Sequence, residues 1–389
     1  MAAALMDDLV EEILLRFPTD DPASLVRAAL VCKGWHRLIY DSDFGRRFRE
    51  FHRTPPLLGF ICNQEHYDLC IVNAANHHYV SCFVPISMCP FRGRFVPKPY
   101  YCSQRIVERN PCGWEAIDSR HGRVLLHSLP RSTIMKMIVW DPITNEHQEL
   151  PKLPPDREQY RWRWNAAVHC AMGSDCNHLD CHRGPFCVVF IGHSSTKGMF
   201  TRVYSSESGT WCELAPAKHI HDCCLRTEPS VLMGNALYFK ISGRIILKYD
   251  LSSRDMRQIQ VPARISSPEF VVTMSEDFCL GLAVMEGSKL YLWSKEHSPT
   301  DGDDRWAPSR VLELKTLLPA YALAASPSAC GFVESLGVII LRTDSGFFTV
   351  NLKSDQVKKI RYDRKEGGHV DSVVPYISFY TPHLRYNSS

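Results

Sequence analysis

At 389 residues the chain is too long for one minimal domain and fits a small module joined to a large one, or two to three domains of ordinary size. Its 45 Lys+Arg against 42 Asp+Glu leave a net charge of +3, without the excess that marks a duplex-DNA or anionic-membrane partner, and 45% hydrophobic residues supply a sizeable core. No apolar run approaches the roughly 18 residues of a membrane span, and Met1-Ala-Ala-Ala-Leu-Met-Asp-Asp is no secretory signal, so the expected setting is cytoplasmic or nuclear, with no membrane and no nucleic acid bound.

Residues 1–53 carry helical periodicity, and from Leu57 onward short β-branched and aromatic runs alternate with turn residues, so Thr54-Pro55-Pro56 reads as the hinge. Asp7-Asp8-Leu9-Val10-Glu11-Glu12 puts acids in a first helical turn, and Asp8 with Glu11 has capping-box spacing. Leu9, Ile13 and Phe17 follow as one stripe until Pro18 stops the helix. Asp21-Pro22 is an N-cap followed by Pro at the first helical position, and Leu25, Ala28, Ala29, Cys32, Trp35 and Ile39 extend an apolar stripe past Gly34, read as a break. Three short helices are predicted. Such a unit lies near the size below which a core without disulfides or metal rarely supports itself, so it should lean on a neighbour. Its charge is also segregated, with six acids against Arg16 in residues 1–21 and seven bases against three acids in residues 22–53.

The string Leu5-Met6-Asp7-Asp8-Leu9-Val10-Glu11-Glu12-Ile13-Leu14-Leu15-Arg16-Phe17-Pro18, then Ser24-Leu25-Val26-Arg27-Ala28, then Val31-Cys32-Lys33-Gly34-Trp35-His36-Arg37-Leu38-Ile39, resembles the F-box motif of the large plant F-box families. It departs from the motif where Met6 stands for the usual Pro and where Thr19 to Ala23 lengthens the first connection. The resemblance implies docking on a Skp-type adaptor and through it a cullin, with Leu5, Leu9, Ile13, Phe17, Pro18, Leu25, Ala28, Val31 and Trp35 as contacts, some of which must instead serve the unit's own core. A charge placed in the Leu9/Ile13/Phe17 stripe would then be desolvated without a partner.

The large region repeats itself. Trp140–Leu150, Tyr204–Leu214, Tyr249–Ile259 and Val350–Ile360 align without gaps as strand end, polar turn and strand, each after a glycine (Gly122, Gly192, Gly234, Gly337) with an adjoining apolar run. A fifth copy is readable at Gly281–Val284 and Leu290–Trp293, its turn expanded by Lys295 to Arg310. The starts at 140, 204, 249, 293 and 350 bracket the period of a four-stranded propeller blade, although an open β-sandwich uses hairpins of the same chemistry. The region also resembles the F-box-associated β domain of plant families, in which apolar-Tyr-Asp-Leu recurs as Lys248-Tyr249-Asp250-Leu251 does. The expected chain is therefore mainly β with a small N-terminal all-α module: an F-box over 1–47, a linker over 48–56, a degenerate, Kelch-like or F-box-associated β-propeller over 57–380, and a tail over 381–389. Its blade count stays open.

Chemistry is sparse. The 16 cysteines, in a chain without a secretory signal, are expected to stay reduced, most of them as small buried hydrophobes. His169-Cys170, Cys176, His178 and Cys181-His182 crowd six N or S donors together, but without a C-x2-C knuckle and between turn residues they read as a polar loop, with no metal or cofactor expected. No catalytic elbow, P-loop or metalloprotease helix occurs, and His219, His221 and Asp222 beside Cys223-Cys224 do not establish attack geometry. Arg157 to Trp164 interleaves bases and aromatics as in a single-strand stacking platform, yet tryptophans packed on a blade fit as well. The expected function is that of a non-catalytic substrate adaptor of a ubiquitin ligase. Its target is expected on the insertions Asn165–Pro185 and Lys295–Arg310, through Trp162, Trp164, Arg183 and Trp306. A scaffold whose β domain binds a peptide, glycan or RNA is the alternative.

Overall fold

The computed structural model describes residues 7–67, 77–87, 114–128, 136–153, 163–194, 198–213, 225, 227–241, 244–265, 269–275, 277–296, 305–360, 362 and 369–382. The helical unit holds four helices, not three: α1 (Asp7–Leu15), α2 (Pro22–Ala29), α3 (Lys33–Ile39) and α4 (Ser42–His52). Asp21 and Pro22 open α2 as expected. Gly34 is not the break, since it lies inside α3, and the stripe is interrupted earlier, between Ala29 and Lys33. There Cys32 caps α3, its sulfur accepting from the Trp35 N–H at 3.4 Å. The fourth helix was hidden because Asp41, its cap, opens a run whose only large apolar positions are Phe44, Phe48 and Phe51 among charges. Phe44 and Phe48 are buried, and α4 occupies the first part of the expected linker, leaving Arg53 to Pro56 as the connection.

The rest is a six-bladed propeller. The closing sheet has the order β2-β1-β23, from β1 (Leu57–Tyr67), β2 (His77–Pro85) and β23 (His369–Ile377). Five four-stranded antiparallel sheets follow in chain order. Blade I is β3 (Trp114–Arg120), β4 (Arg123–Ser128), β5 (Met137–Trp140) and β6 (His147–Glu149); blade II is β7 (Arg163–Cys170), β8 (Phe186–Ser194), β9 (Gly198–Ser205) and β10 (Thr210–Glu213). Blade III is β11 (Val231–Met233), β12 (Ala236–Ile241), β13 (Ile245–Asp250) and β14 (Met256–Gln260). Blade IV is β15 (Phe270–Met274), β16 (Leu280–Glu286), β17 (Lys289–Lys295) and β18 (Trp306–Glu313), and blade V is β19 (Ser328–Val333), β20 (Val338–Thr343), β21 (Gly346–Asn351) and β22 (Val357–Ile360). Pairing between the two ends of the chain closes the ring, β1 against β23 from Leu57↔Ile377 to Glu65↔His369.

Blades stack face to face, so a middle strand is buried on both sides and reads as a continuous apolar run. In β4, Leu126 packs with Leu58, Ile61 and Tyr376 of the closing sheet, whereas Leu125 packs with Val168, Val188 and Phe190 of blade II. The outermost strand β6, His147-Gln148-Glu149, is exposed throughout, as its polar sequence requires. The aligned repeat is the turn between the third and fourth strands of a blade. Asp141, Asp250 and Asn351 each accept two backbone N–H bonds through Oδ1, from Ile143 and Thr144, Ser252 and Ser253, and Lys353 and Ser354. Four residues on, Asn145, Gly209, Arg254 and Asp355 all adopt positive φ, their N–H groups donating to the carbonyls of Asp141, Ser205, Asp250 and Asn351.

Two expected insertions are smaller than the sequence suggests, because Asn165–Cys170 belongs to β7 and Trp306–Arg310 to β18. What remains of the first is the β7–β8 loop, residues 171–185. The cysteines also differ from expectation: of the ten described, only Cys62 and Cys170 are buried, Cys32 and Cys212 are exposed and the rest are half-buried.

Candidate functional site

In a propeller with this strand order, the first-to-second and third-to-fourth strand turns share one face, and the second-to-third turns and blade connectors share the other. The helical unit sits on the first face. Phe379, just past β23, joins Val10, Leu14, Leu25, Ala28, Ile39, Phe44 and Phe48 in one core, with Leu179 of the β7–β8 loop packed against it. Arg49, buried in α4, pairs with Asp180 of that loop at 2.7 Å, and Ser378 donates its N–H to the Pro56 carbonyl. Gly122, in the β3–β4 turn at φ 76°, permits this approach: a Cβ there would stand 3.1 Å from Ser378 Oγ and 3.2 Å from His182 Cβ. The undersized unit thus leans on the propeller, as its size demands.

Its outer surface stays apolar. Leu9 is 53% exposed, Ile13 49%, Leu30 78% and Val31 64%, and with Phe51 these make five of the nine large exposed hydrophobic side chains among the described residues. A unit of under fifty residues holding most of them is the signature of an interface. Pro18 is also exposed, whereas Phe17 and Trp35 are half-buried against the helical core. Of the nine expected contacts, Leu25 (1% exposed) and Ala28 fall on the core side in the free chain, because the inward stripe of α2 packs with α3 into the helical core. Leu5 lies outside the described residues. Leu30, not singled out from the sequence, sits just beyond α2, where helical periodicity no longer assigns a face.

Of the expected target contacts, Trp306 is buried, its indole N–H donating to the Gln260 carbonyl at 3.0 Å, so it is a core residue joining blades III and IV. Trp164 is half-buried, stacked on Phe190 at 5.5 Å and edge-on to His127. Arg183 is exposed, but on the loop that faces the helical unit. Trp162, most of the 157–164 basic-aromatic run, and the set His219, His221, Asp222, Cys223 and Cys224 lie outside the described residues.

The cysteine-histidine cluster lies on the β7–β8 loop, as read from the sequence, apart from Cys170 at the end of β7. Ligand atoms of Cys170, Cys176, His178 and Cys181 all lie within 4.8 Å of one another, a set able to hold a metal ion. Cys170 ends β7, Cys176 follows a 3-10 turn at Gly173–Asp175, and Cys181 opens another at Cys181–Arg183. His178 takes φ 56°, and its N–H points at the Cys176 sulfur, 3.3 Å away. Burial pushes the Cys170 and Cys181 thiols up and the His178 imidazole down. His121 stacks on His178 at 4.1 Å and is driven down to about 3, by burial first and then by that neighbour. His169 and His182 stand outside the set: His169 faces the Cys170 carbonyl at 2.9 Å, and His182 lies 3.3 Å from Asp180.

A cavity of about 220 Å³ opens where the channel meets the helical face. Its wall is a fixed charge network: Arg120 pairs with Asp118 and with Glu334 at 3.2 Å and donates to the Ser230 carbonyl, while Asp118 accepts from the Val168 N–H and Glu334 from the Leu232 N–H. Burial raises the Asp118 carboxyl to about 6 against the pull of Arg120. These groups tie the innermost strands of several blades together. The opposite mouth is lined by Glu228, Lys240, Glu269, Ser328 and Arg342.

Residues 5–47 match the F-box domain family, and residues 115–384 match the family described as F-box protein AT5G49610-like, beta-propeller. No curated protein matches the sequence. Among solved structures, a puromycin-hydrolyzing peptidase of Mycobacterium tuberculosis is similar at 13% identity and TM-score 0.40 over 69% of this chain, which spans 41% of that protein. TolB from Acinetobacter baumannii is similar at 12% identity and TM-score 0.40, over 85% of this chain and 72% of that one. An alpha-L-arabinanase of Penicillium chrysogenum is similar at 11% and 0.35, over 69% and 83%.

Proposed function

The chain belongs to the F-box proteins with an AT5G49610-like β-propeller, and on that premise we propose that it is the non-catalytic substrate-recognition subunit of a Skp-cullin-F-box ubiquitin ligase. The observation that carries this reading is the two-sided helical unit. Val10, Leu14, Phe44 and Phe48 face inward, while Leu9, Ile13, Leu30 and Val31 stand in water with nothing among the described residues to cover them. Burying four such side chains in a partner's helices would contribute roughly 25 cal/mol per Å² of apolar surface removed from water. The target is then expected on the propeller face away from the helical unit, around the channel mouth with Glu228, Lys240, Glu269 and Arg342. That face is built from second-to-third strand turns and blade connectors, free to vary on a fixed frame.

The test is co-expression of the full chain with a Skp-type adaptor and capture of the pair. Ile13→Glu should abolish capture while leaving the melting temperature unchanged, because Ile13 is half-exposed in the free chain but its charge would be desolvated in the complex. Undiminished capture by a folded Ile13→Glu protein would overturn the proposal in favour of a scaffold outside the ligase.

A further inference from the structure

We propose that Cys170, Cys176, His178 and Cys181 bind one Zn²⁺ in a closed tetrahedral site that holds the β7–β8 loop against the helical unit. The donor set is a complete Cys3His shell, one of the structural zinc classes. With Zn–S of about 2.3 Å and Zn–N of about 2.0–2.1 Å, the S···N edge of a tetrahedron is about 3.6 Å. Cys181 Sγ and His178 Nδ1 stand 3.6 Å apart. The Cys176 sulfur accepts the His178 N–H, a bond that steadies a thiolate. Three soft thiolates and one imidazole select zinc over the harder magnesium and calcium.

Two independent features point the same way. Residues 171–185 contain no fully buried side chain among those described, so no core of their own accounts for the order of this loop, which blade III replaces with the short turn at Gly234-Asn235. A metal cross-link supplies that order where burial does not. The second feature is Arg123, 3% exposed, which donates to the Cys181 and Gly184 carbonyls, keeps Nη1 buried without a hydrogen-bond partner, and forms no ion pair with a described carboxylate. Zn²⁺ with three thiolates and a neutral imidazole carries one net negative charge, which balances this buried guanidinium; the three thiol protons leave to solvent on binding.

The consequence is positional. Leu179 and Asp180, which pack on the helical core and pair with Arg49, lie between the ligands His178 and Cys181, so the metal fixes the segment on which the helical unit rests. The angle between that unit and the propeller is thereby set by a coordination shell rather than by the four-residue connection alone.

Zinc is measured by elemental mass spectrometry on the full chain purified through its own affinity tag, with and without a co-expressed Skp-type adaptor, in reducing, chelator-free buffer. About one zinc per chain is expected. Cys176→Ser and Cys181→Ser should each lose at least about five-sixths of it, while Cys187→Ser, outside the quartet, retains it. If those variants aggregate, the wild-type chain loaded with Co²⁺ gives the second readout, a thiolate-to-cobalt charge-transfer band. Stripping the metal should also speed amide exchange in 171–185 several-fold with the blade strands unchanged. A wild-type chain without stoichiometric zinc, zinc kept by both variants, iron or copper in its place, or a disulfide among the three cysteines would each overturn the proposal. Metal content is read whether or not the adaptor binds, so this outcome and that of the ligase reading separate.

Discussion

In the propeller, an apolar side chain on a middle strand has a neighbouring blade whichever way it points: Leu125 meets blade II and Leu126 the closing sheet. On α1 the same adjacency gives opposite fates, with Leu14 fully buried and Ile13 half in water. The propeller satisfies its apolar surface by closing on itself, and the helical unit satisfies only half of its own. The difference teaches where assembly is encoded: a region that is finished in isolation presents loops, and a region that is unfinished presents a face.

The sharpest way to test that the propeller is self-sufficient is to break its charge network. Arg120→Met leaves Asp118 and Glu334 without their cation and should cost about 3–5 kcal/mol in denaturant unfolding. A loss below about 1 kcal/mol would show the network to be dispensable. On α1, Leu14→Ala should cost about 2–5 kcal/mol. Ile13→Ala should stay within about 0.5 kcal/mol in stability yet weaken adaptor capture about tenfold or more. Equal stability losses at the two positions would erase the contrast. Asp118 sharpens it through pH. Because its carboxyl titrates near 6 in the fold, above its unfolded value, the folded chain holds the proton more tightly, and this group's contribution to stability falls as pH rises from about 4 to about 6. Asp118→Asn should flatten that part of the stability profile. The smallest effect is expected at the seam between the regions. Asp180→Asn weakens a pair whose carboxylate is half-exposed and should cost about 1 kcal/mol, read as faster proteolysis at Arg53–Pro56 with the blades intact.

Much of this was legible because it is local. The third-to-fourth strand turn could be aligned four times, since Asp141, Asp250 and Asn351 bind their own next residues and the positive-φ position always falls four residues on. The same logic misled at Gly192, which lies within β8 where the other repeats place a turn glycine; blade II spends that turn on the 171–185 loop. Trp306 read as an exposed anchor because a long polar stretch precedes it, but its own residue opens β18 and its indole finds the Gln260 carbonyl. The fourth helix escaped because three phenylalanines among charges are a sparse stripe, and Phe44 and Phe48 find their partners only in the helical core and at Phe379.

The sequence by itself determined the division at Thr54-Pro55-Pro56, the F-box string and the recurring hairpin, because periodicity, capping and turn chemistry act over a few neighbouring residues. Only the tertiary structure decided the rest. Ring closure joins strands from opposite ends of the chain, the face of α1 left in water depends on α4 and Phe379 arriving on its other side, and four donors meet because the loop doubles back through the left-handed His178. In each case the deciding contact is between groups whose separation along the chain carries no information about their separation in space.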